Sequence, residues 1–304
     1  MDKRIICLLV AVLLAAAAVS SLAEPLVYRI TGPEGTALYL MGTVHVGRKT
    51  DGIPEAAENA LEECGALAVE VDPREMTAVN PAFLREAARL FLPAGTRLSD
   101  LVGEELVQKC ASALGMRQNS LEMLVPYAAV ALLNERDYAS LSLEEDYGTE
   151  QLLEDTARRL GLRVTGIETV KEQMDVLLSL DDAYCAGLME EETEAPEACR
   201  EEIRRLYELW QAGDEKGLEA LLAAEAGLED PAYAEAARLL VTDRNRRFAE
   251  AARAFLSGGE TVFMAVGCGH LYGEEGLLTL LEAEGCAVVK LDAAPEAGTL
   301  SSAE

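Results

Sequence analysis

The chain contains two histidines, His45 and His270, and both stand in the same local pattern. The first lies in Tyr39-Leu40-Met41-Gly42-Thr43-Val44-His45-Val46-Gly47 and the second in Met264-Ala265-Val266-Gly267-Cys268-Gly269-His270-Leu271-Tyr272-Gly273. Each reads as an apolar strand, then Gly-x-x-His, then glycine again. With glycine at about one position in twelve, chance puts it three residues ahead of both histidines roughly once in 150. Glycine permits a tight turn out of a strand and close backbone approach. Both imidazoles are therefore expected to project into one crevice, at the carboxyl ends of parallel strands.

Carboxylates close two further apolar runs. Glu70 and Asp72 end Leu67-Ala68-Val69-Glu70-Val71-Asp72, and Glu168 ends Val164-Thr165-Gly166-Ile167-Glu168. A carboxylate there is costly to bury unless it is paired or bound to a metal. Asp72 precedes Pro73, so turn initiation accounts for it equally well. Arg244 and Asn245 begin a helix whose apolar face carries Phe248, Ala252 and Phe255; a solvated charged helix start is the plain alternative. The candidate ligands are thus His45, His270 and Glu70, and the candidate catalytic groups are Glu70, Glu168, Arg244 and Asn245. Two imidazoles with one or two carboxylates suit a divalent transition metal (Mn, Co or Zn, or iron) rather than calcium. Such an ion polarises carbonyls and acidifies water while a free carboxylate takes the proton. Cys268 is a less economical nucleophile, because side chains two residues apart need not face each other.

The elements that must position these groups are legible as short β-type runs at Ala37 to Met41, Ala66 to Val71, Leu162 to Ile167, Thr261 to Val266 and Ala287 to Leu291. Most are apolar on both faces, as in a covered parallel sheet. Ile53-Pro54-Glu55 starts a helix that Gly65 closes, giving a strand, helix, strand unit. A second such unit ends the chain, with a helix over Glu274 to Glu284. Long helical stretches fill the intervals. The expected fold class is α/β, with a mostly parallel central sheet flanked by helices and a large helical insertion. One domain over 24–304 is expected, with helical insertions at about 80–160 and 175–256.

Lys3 and Arg4 precede an apolar run from Ile5 to Val19, with small residues Ser21 and Ala23 at cleavage positions, so residues 1–23 read as a signal peptide. The run is shorter than the roughly 20 residues of a permanent span; an uncleaved segment would be the one route to membrane attachment. An exported, extracytoplasmic protein is expected. Acidic side chains number 54 against 26 basic, a net charge of −28, which repels phosphate backbones and speaks against nucleic-acid binding. Beyond Cys7, six cysteines remain. Cys185 and Cys199 flank a short acidic, proline-containing loop and are the pair best placed to bridge, with free thiols the equal alternative.

Taken in order, Leu40-Met41-Gly42-Thr43-Val44-His45, Val69-Glu70-Val71-Asp72, Pro126-Tyr127, Gly148-Thr149-Glu150, Gly166-Ile167-Glu168-Thr169 with Gln173, Arg244-Asn245 and Val266-Gly267-Cys268-Gly269-His270-Leu271-Tyr272-Gly273 resemble the motifs of the TraB/PrgY/GumN family, to which the TIKI metalloproteases are related. The resemblance spans nearly the whole mature chain. Tyr127 stands where tryptophan is common and Glu150 where aspartate is common. What the resemblance implies is a metal-dependent hydrolase acting on a peptide or small-molecule substrate, with peptide cleavage suggested by the TIKI branch. The rival expectation is a protein that sequesters a peptide or haem in the same cleft without turnover.

Overall fold

The computed structural model describes residues 26–77, 79–226 and 231–291; the expected signal segment and Cys7 lie outside them. The centre is a six-stranded sheet of β1 (Val27–Thr31), β2 (Ala37–Thr43), β3 (Ala66–Val71), β4 (Arg163–Glu168), β5 (Val262–Gly267) and β6 (Ala287–Lys290), in the order β4-β3-β5-β2-β1-β6. Strands β4, β3, β5 and β2 run parallel, and β1 pairs antiparallel with both β2 and β6. The fold is therefore α/β with a mostly parallel sheet, as expected.

The five runs read from the sequence are all strands, with ends moved by one or two residues. In neither strand-helix-strand unit do the two strands pair with each other: β5 separates β2 from β3, and β2 and β1 separate β5 from β6. Strand β1 was not anticipated. It pairs with β2 from Val27↔Met41 to Thr31↔Ala37.

Alternation along the strands gives each face its own core. Ile30, Leu38, Leu40, Ala66, Ala68, Met264 and Val266 face one side. There they meet Phe248, Ala249 and Ala252 of the helix Asp243–Ser257 and Leu277 and Leu281 of the helix Leu277–Ala283. Val27, Tyr39, Met41, Leu67, Val69, Phe263 and Ala265 face the other. They pack on Ala57, Ala60 and Leu61 of the helix Glu55–Glu62 and on Leu153 and Ala157 of the helix Thr149–Leu160. A third core, built from helices alone, gathers Leu98, Val107, Cys110, Leu121, Leu133, Cys185 and Met189.

Cys64, Cys110, Cys185, Cys199, Cys268 and Cys286 form no disulfide among the described residues, so of the two alternatives for Cys185 and Cys199 the structure takes the unbridged one. Cys185 is buried in the all-helical core of the helix Asp182–Glu194. Cys199 lies on the next helix, Pro196–Gln211, beside Glu192 and Glu202, and the loop between is a single residue at Ala195. Among the described residues no helix is long and apolar enough to cross a membrane.

Candidate metal centre

The four parallel strands bring their carboxyl ends to one edge, and the chain turns there deliver the site. β2 ends at Thr43, two residues before His45, and β5 ends at Gly267, where a short 3-10 turn over Cys268–His270 carries the second histidine. The parallel register sets Thr43 opposite Gly267. A Cβ placed on Gly267 would lie 3.7 Å from His45 Nε2, 3.6 Å from His270 Cδ2 and 3.3 Å from Glu70 Oε1. Both imidazoles and Glu70 thus flank one point.

Glu70 sits inside β3, where its carboxylate is buried but well partnered. Oε1 accepts the Gly267 backbone N–H at 2.7 Å, and Oε2 accepts from Arg244 and, at 3.5 Å, from Gln173 Nε2. Burial pushes this carboxyl up, but Arg244, the two histidines and the Gly267 N–H outweigh it and hold it down at about 2. Gln173 is aimed by the helix Val170–Leu177, whose start is fixed by a reciprocal cap between Thr169 and Glu172.

Arg244 lies one residue into the helix Asp243–Ser257, directly after a π-helical turn over Arg238–Thr242. Its guanidinium is nearly enclosed and its five N–H donors are all used. Nε and Nη2 donate to Glu168 at 3.1 and 2.9 Å, Nη2 also donates to Glu70, and Nη1 faces His270 Nε2 at 3.3 Å and the Leu240 carbonyl at 3.4 Å. Glu168 is closed in further by Arg247 at 2.7 Å and is 1% exposed. Arg244 is thus a brace between Glu70 and Glu168, and Glu168 is enclosed by Arg244 and Arg247. Burial opposes the Arg244 charge, and the two carboxylates more than restore it, so its pKa is raised.

His270 is buried, with Nδ1 2.7 Å from Asn245 Oδ1, Nε2 3.8 Å from Glu70 Oε1 and its ring edge-on to Phe248. Burial lowers its pKa to about 4, partly opposed by Glu70. His45 is its opposite. Its side chain is 65% exposed and its Nδ1 lies 3.5 Å from Glu150 Oε2; that carboxylate raises the imidazole pKa.

Glu150, outside the candidate ligands and catalytic groups of the sequence, joins this site. It occupies the first turn of the helix Thr149–Leu160 and accepts from the Thr43 hydroxyl at 3.0 Å. Two loops held together backbone to backbone bring it there. Gly47 and Glu144 exchange bonds of 3.0 and 2.9 Å, and the Thr149 N–H donates to the Val44 carbonyl at 2.9 Å. The contact leaves no room for side chains: a Cβ on Gly148 would meet the His45 carbonyl oxygen at 2.3 Å, and one on Gly47 the Tyr147 carbonyl oxygen at 2.1 Å.

One ligand atom from each of His45, Glu70 and Glu150 falls within 4.8 Å of the others, a spacing at which the three could hold a metal ion. The donor chemistry, one imidazole and two carboxylates, fits a divalent transition ion. Of the residues expected from sequence, the structure gathers His45, His270, Glu70, Glu168, Arg244 and Asn245 into one cluster. Of the three expected ligands, His45 and Glu70 belong to that group of three and His270 does not, since its Nε2 faces Arg244 and its Nδ1 faces Asn245; Asp72 turns away to pair with Arg74.

No curated protein and no solved structure matches the chain. The profile of the TraB/PrgY/gumN family matches residues 26–290, which takes in every strand and every residue of the cluster. The chain belongs to the TraB/PrgY/gumN family.

Proposed function

We propose that this protein is an exported metal-dependent hydrolase that cleaves a peptide, or a small exported substrate with a comparable carbonyl, in the cleft beside His45. The observation that carries the reading is the convergence of His45, Glu70 and Glu150 within 4.8 Å. These three side chains would hold a divalent ion, Mn, Co or Zn by their donor types. When bound, the ion supplies Lewis acidity to a scissile carbonyl and to water.

The remaining work falls to the chain itself. Glu70 is the fixed anchor, with both oxygens accepting hydrogen bonds from the protein. Glu150 is the more accessible carboxylate at 23% exposure, with one oxygen steadied by Thr43. It completes the set of three from the solvent side. Arg244 has no donor left for a substrate and acts by holding Glu70 in place. The acidic surface and the Lys3-Arg4 apolar leader support export and solubility outside the cytoplasm.

The test is metal content and cleavage of a peptide library by the purified mature chain, loaded in turn with Mn, Co and Zn. Cleavage with at least one ion, abolished by chelation and restored by the ion, is the expected result. Tight peptide binding without cleavage under every ion would assign the cleft to sequestration instead.

A further inference from the structure

The hydrogen bonds from Glu275 through Asn245, His270 and Arg244 to Glu70 have a polarity that can be read donor by donor. Asn245 Nδ2 donates to the Glu275 backbone carbonyl at 2.7 Å. A carbonyl only accepts, so the amide nitrogen must face that way and Oδ1 must face the imidazole. Oδ1 lies 2.7 Å from His270 Nδ1, which therefore carries a hydrogen. On the far side of the ring, Nε2 lies 3.3 Å from Arg244 Nη1. A guanidinium has donors and no acceptor, so Nε2 must present its lone pair. Two independent partners thus demand the same ring state. The opposite tautomer would set two N–H groups head to head at Arg244 and leave Asn245 Oδ1 facing a lone pair. His270 is 6% exposed and sealed by Phe248 at 4.9 Å between ring centres, so water offers little relief.

We infer that Asn245 is a positioning residue that, together with Arg244, holds His270 as the neutral Nδ1–H imidazole, and that His270 in turn braces Arg244 against Glu70. The tautomer is a property of the ion-free protein. Only the consequence for metal affinity rests on the function proposed above: a wrong tautomer releases Arg244, and Glu70 loses its orientation. Partners of this kind behind a metal site change affinity by about 10- to 100-fold.

The experiment is nitrogen-detected NMR of the metal-free mature chain labelled with 15N-histidine. The chain has two imidazoles, and H45Q identifies which signals belong to His270. The expected spectrum shows His270 protonated at Nδ1 and bare at Nε2. Asn245→Leu, which removes the acceptor at similar volume, is expected to give the Nε2–H form or a mixture and to weaken Mn binding about 10- to 100-fold. An Nε2–H ring in the wild type overturns the inference, and so does an unchanged tautomer in a folded Asn245→Leu protein. If that variant does not fold, the wild-type spectrum decides alone. Wild-type protein with the stated tautomer but no affinity for Mn, Co or Zn would refute the metallohydrolase reading and leave the tautomer lock standing.

Discussion

The Thr43 hydroxyl donates to Glu150 Oε1 at 3.0 Å, across 107 residues of sequence, and so joins the last residue of β2 to the first turn of the helix Thr149–Leu160. Val46 and Gly47 continue the same strand-end loop, which is paired with the segment just ahead of Glu150. The position of Glu150 relative to His45 is therefore set by both backbone and side chain.

Replacing Thr43 with valine keeps the shape and removes the donor. Divalent-ion affinity is expected to fall about 10-fold or more, as for other partners that orient a ligand, with folding unchanged. Calorimetric titration of Mn into both proteins checks this, and equal affinities would show that Thr43 does not orient the carboxylate.

Gly148→Ala is expected to damage both stability and the site, because its new methyl would overlap the His45 carbonyl oxygen at 2.3 Å. The cost is expected at about 1–3 kcal/mol, the range for forced overpacking. Gly52→Ala, where nothing lies within 4 Å, is the control and is expected to stay within about 0.5 kcal/mol. Urea unfolding of the two variants distinguishes them.

How much of this was readable in advance follows from where each partner sits. Glu70, Glu168, His45 and His270 announce themselves because a polar residue that ends an apolar strand needs a reason to be there, and a parallel sheet gathers such ends. Glu150 carries no such local signal. Its role depends on two loops meeting at Gly47 and Glu144, a pairing that no periodicity encodes. Arg244 was visible as a charged helix start, but its full commitment to Glu70, Glu168, His270 and Leu240 depends on side chains from distant elements. β1 is harder to read because it is five residues long and interrupted by the exposed Arg29, and the pairing of Cys185 and Cys199 stays open in the sequence because closeness along the chain says nothing about which way two consecutive helices turn their thiols.

Arg244→Ala is expected to destabilise the fold by about 3–5 kcal/mol, since it leaves Glu70 and Glu168 buried without their shared cation. Adding Glu168→Gln to that variant is expected to recover part of the loss. Chemical denaturation of the single and double variants measures it; additive losses would mean that Arg244 and Glu168 do not stabilise each other.

Two buried glutamates outside the group of His45, Glu70 and Glu150 predict a pH dependence. Burial, only partly offset by Arg158, pushes the Glu154 carboxyl up to about 7. Burial and a hydrogen bond with Asp137 push Glu192 to about 7, against Arg136 and Arg200. Both are acids raised in the folded state above an ordinary value of 4.5. Their contribution to stability is therefore full below that value and lost as pH rises through about 7. Each is worth at most about 3 kcal/mol. Melting temperatures followed across this window should fall in the wild type, and Glu154→Gln and Glu192→Gln should each flatten the curve. Parallel curves for all three proteins would contradict the assignment.

The central claim is that His45 and Glu150, both reachable from solvent and neither part of a core, complete a metal site with Glu70. The most direct measurement is calorimetric titration of Mn into metal-free wild type, His45→Ala and Glu150→Gln, with circular dichroism confirming that all three are folded. The account predicts one ion per wild-type chain and affinity reduced at least about 100-fold in each variant, as expected for loss of a ligand rather than of its support. Binding in the variants equal to that of the wild type, or a wild type that takes up no divalent ion, would contradict it.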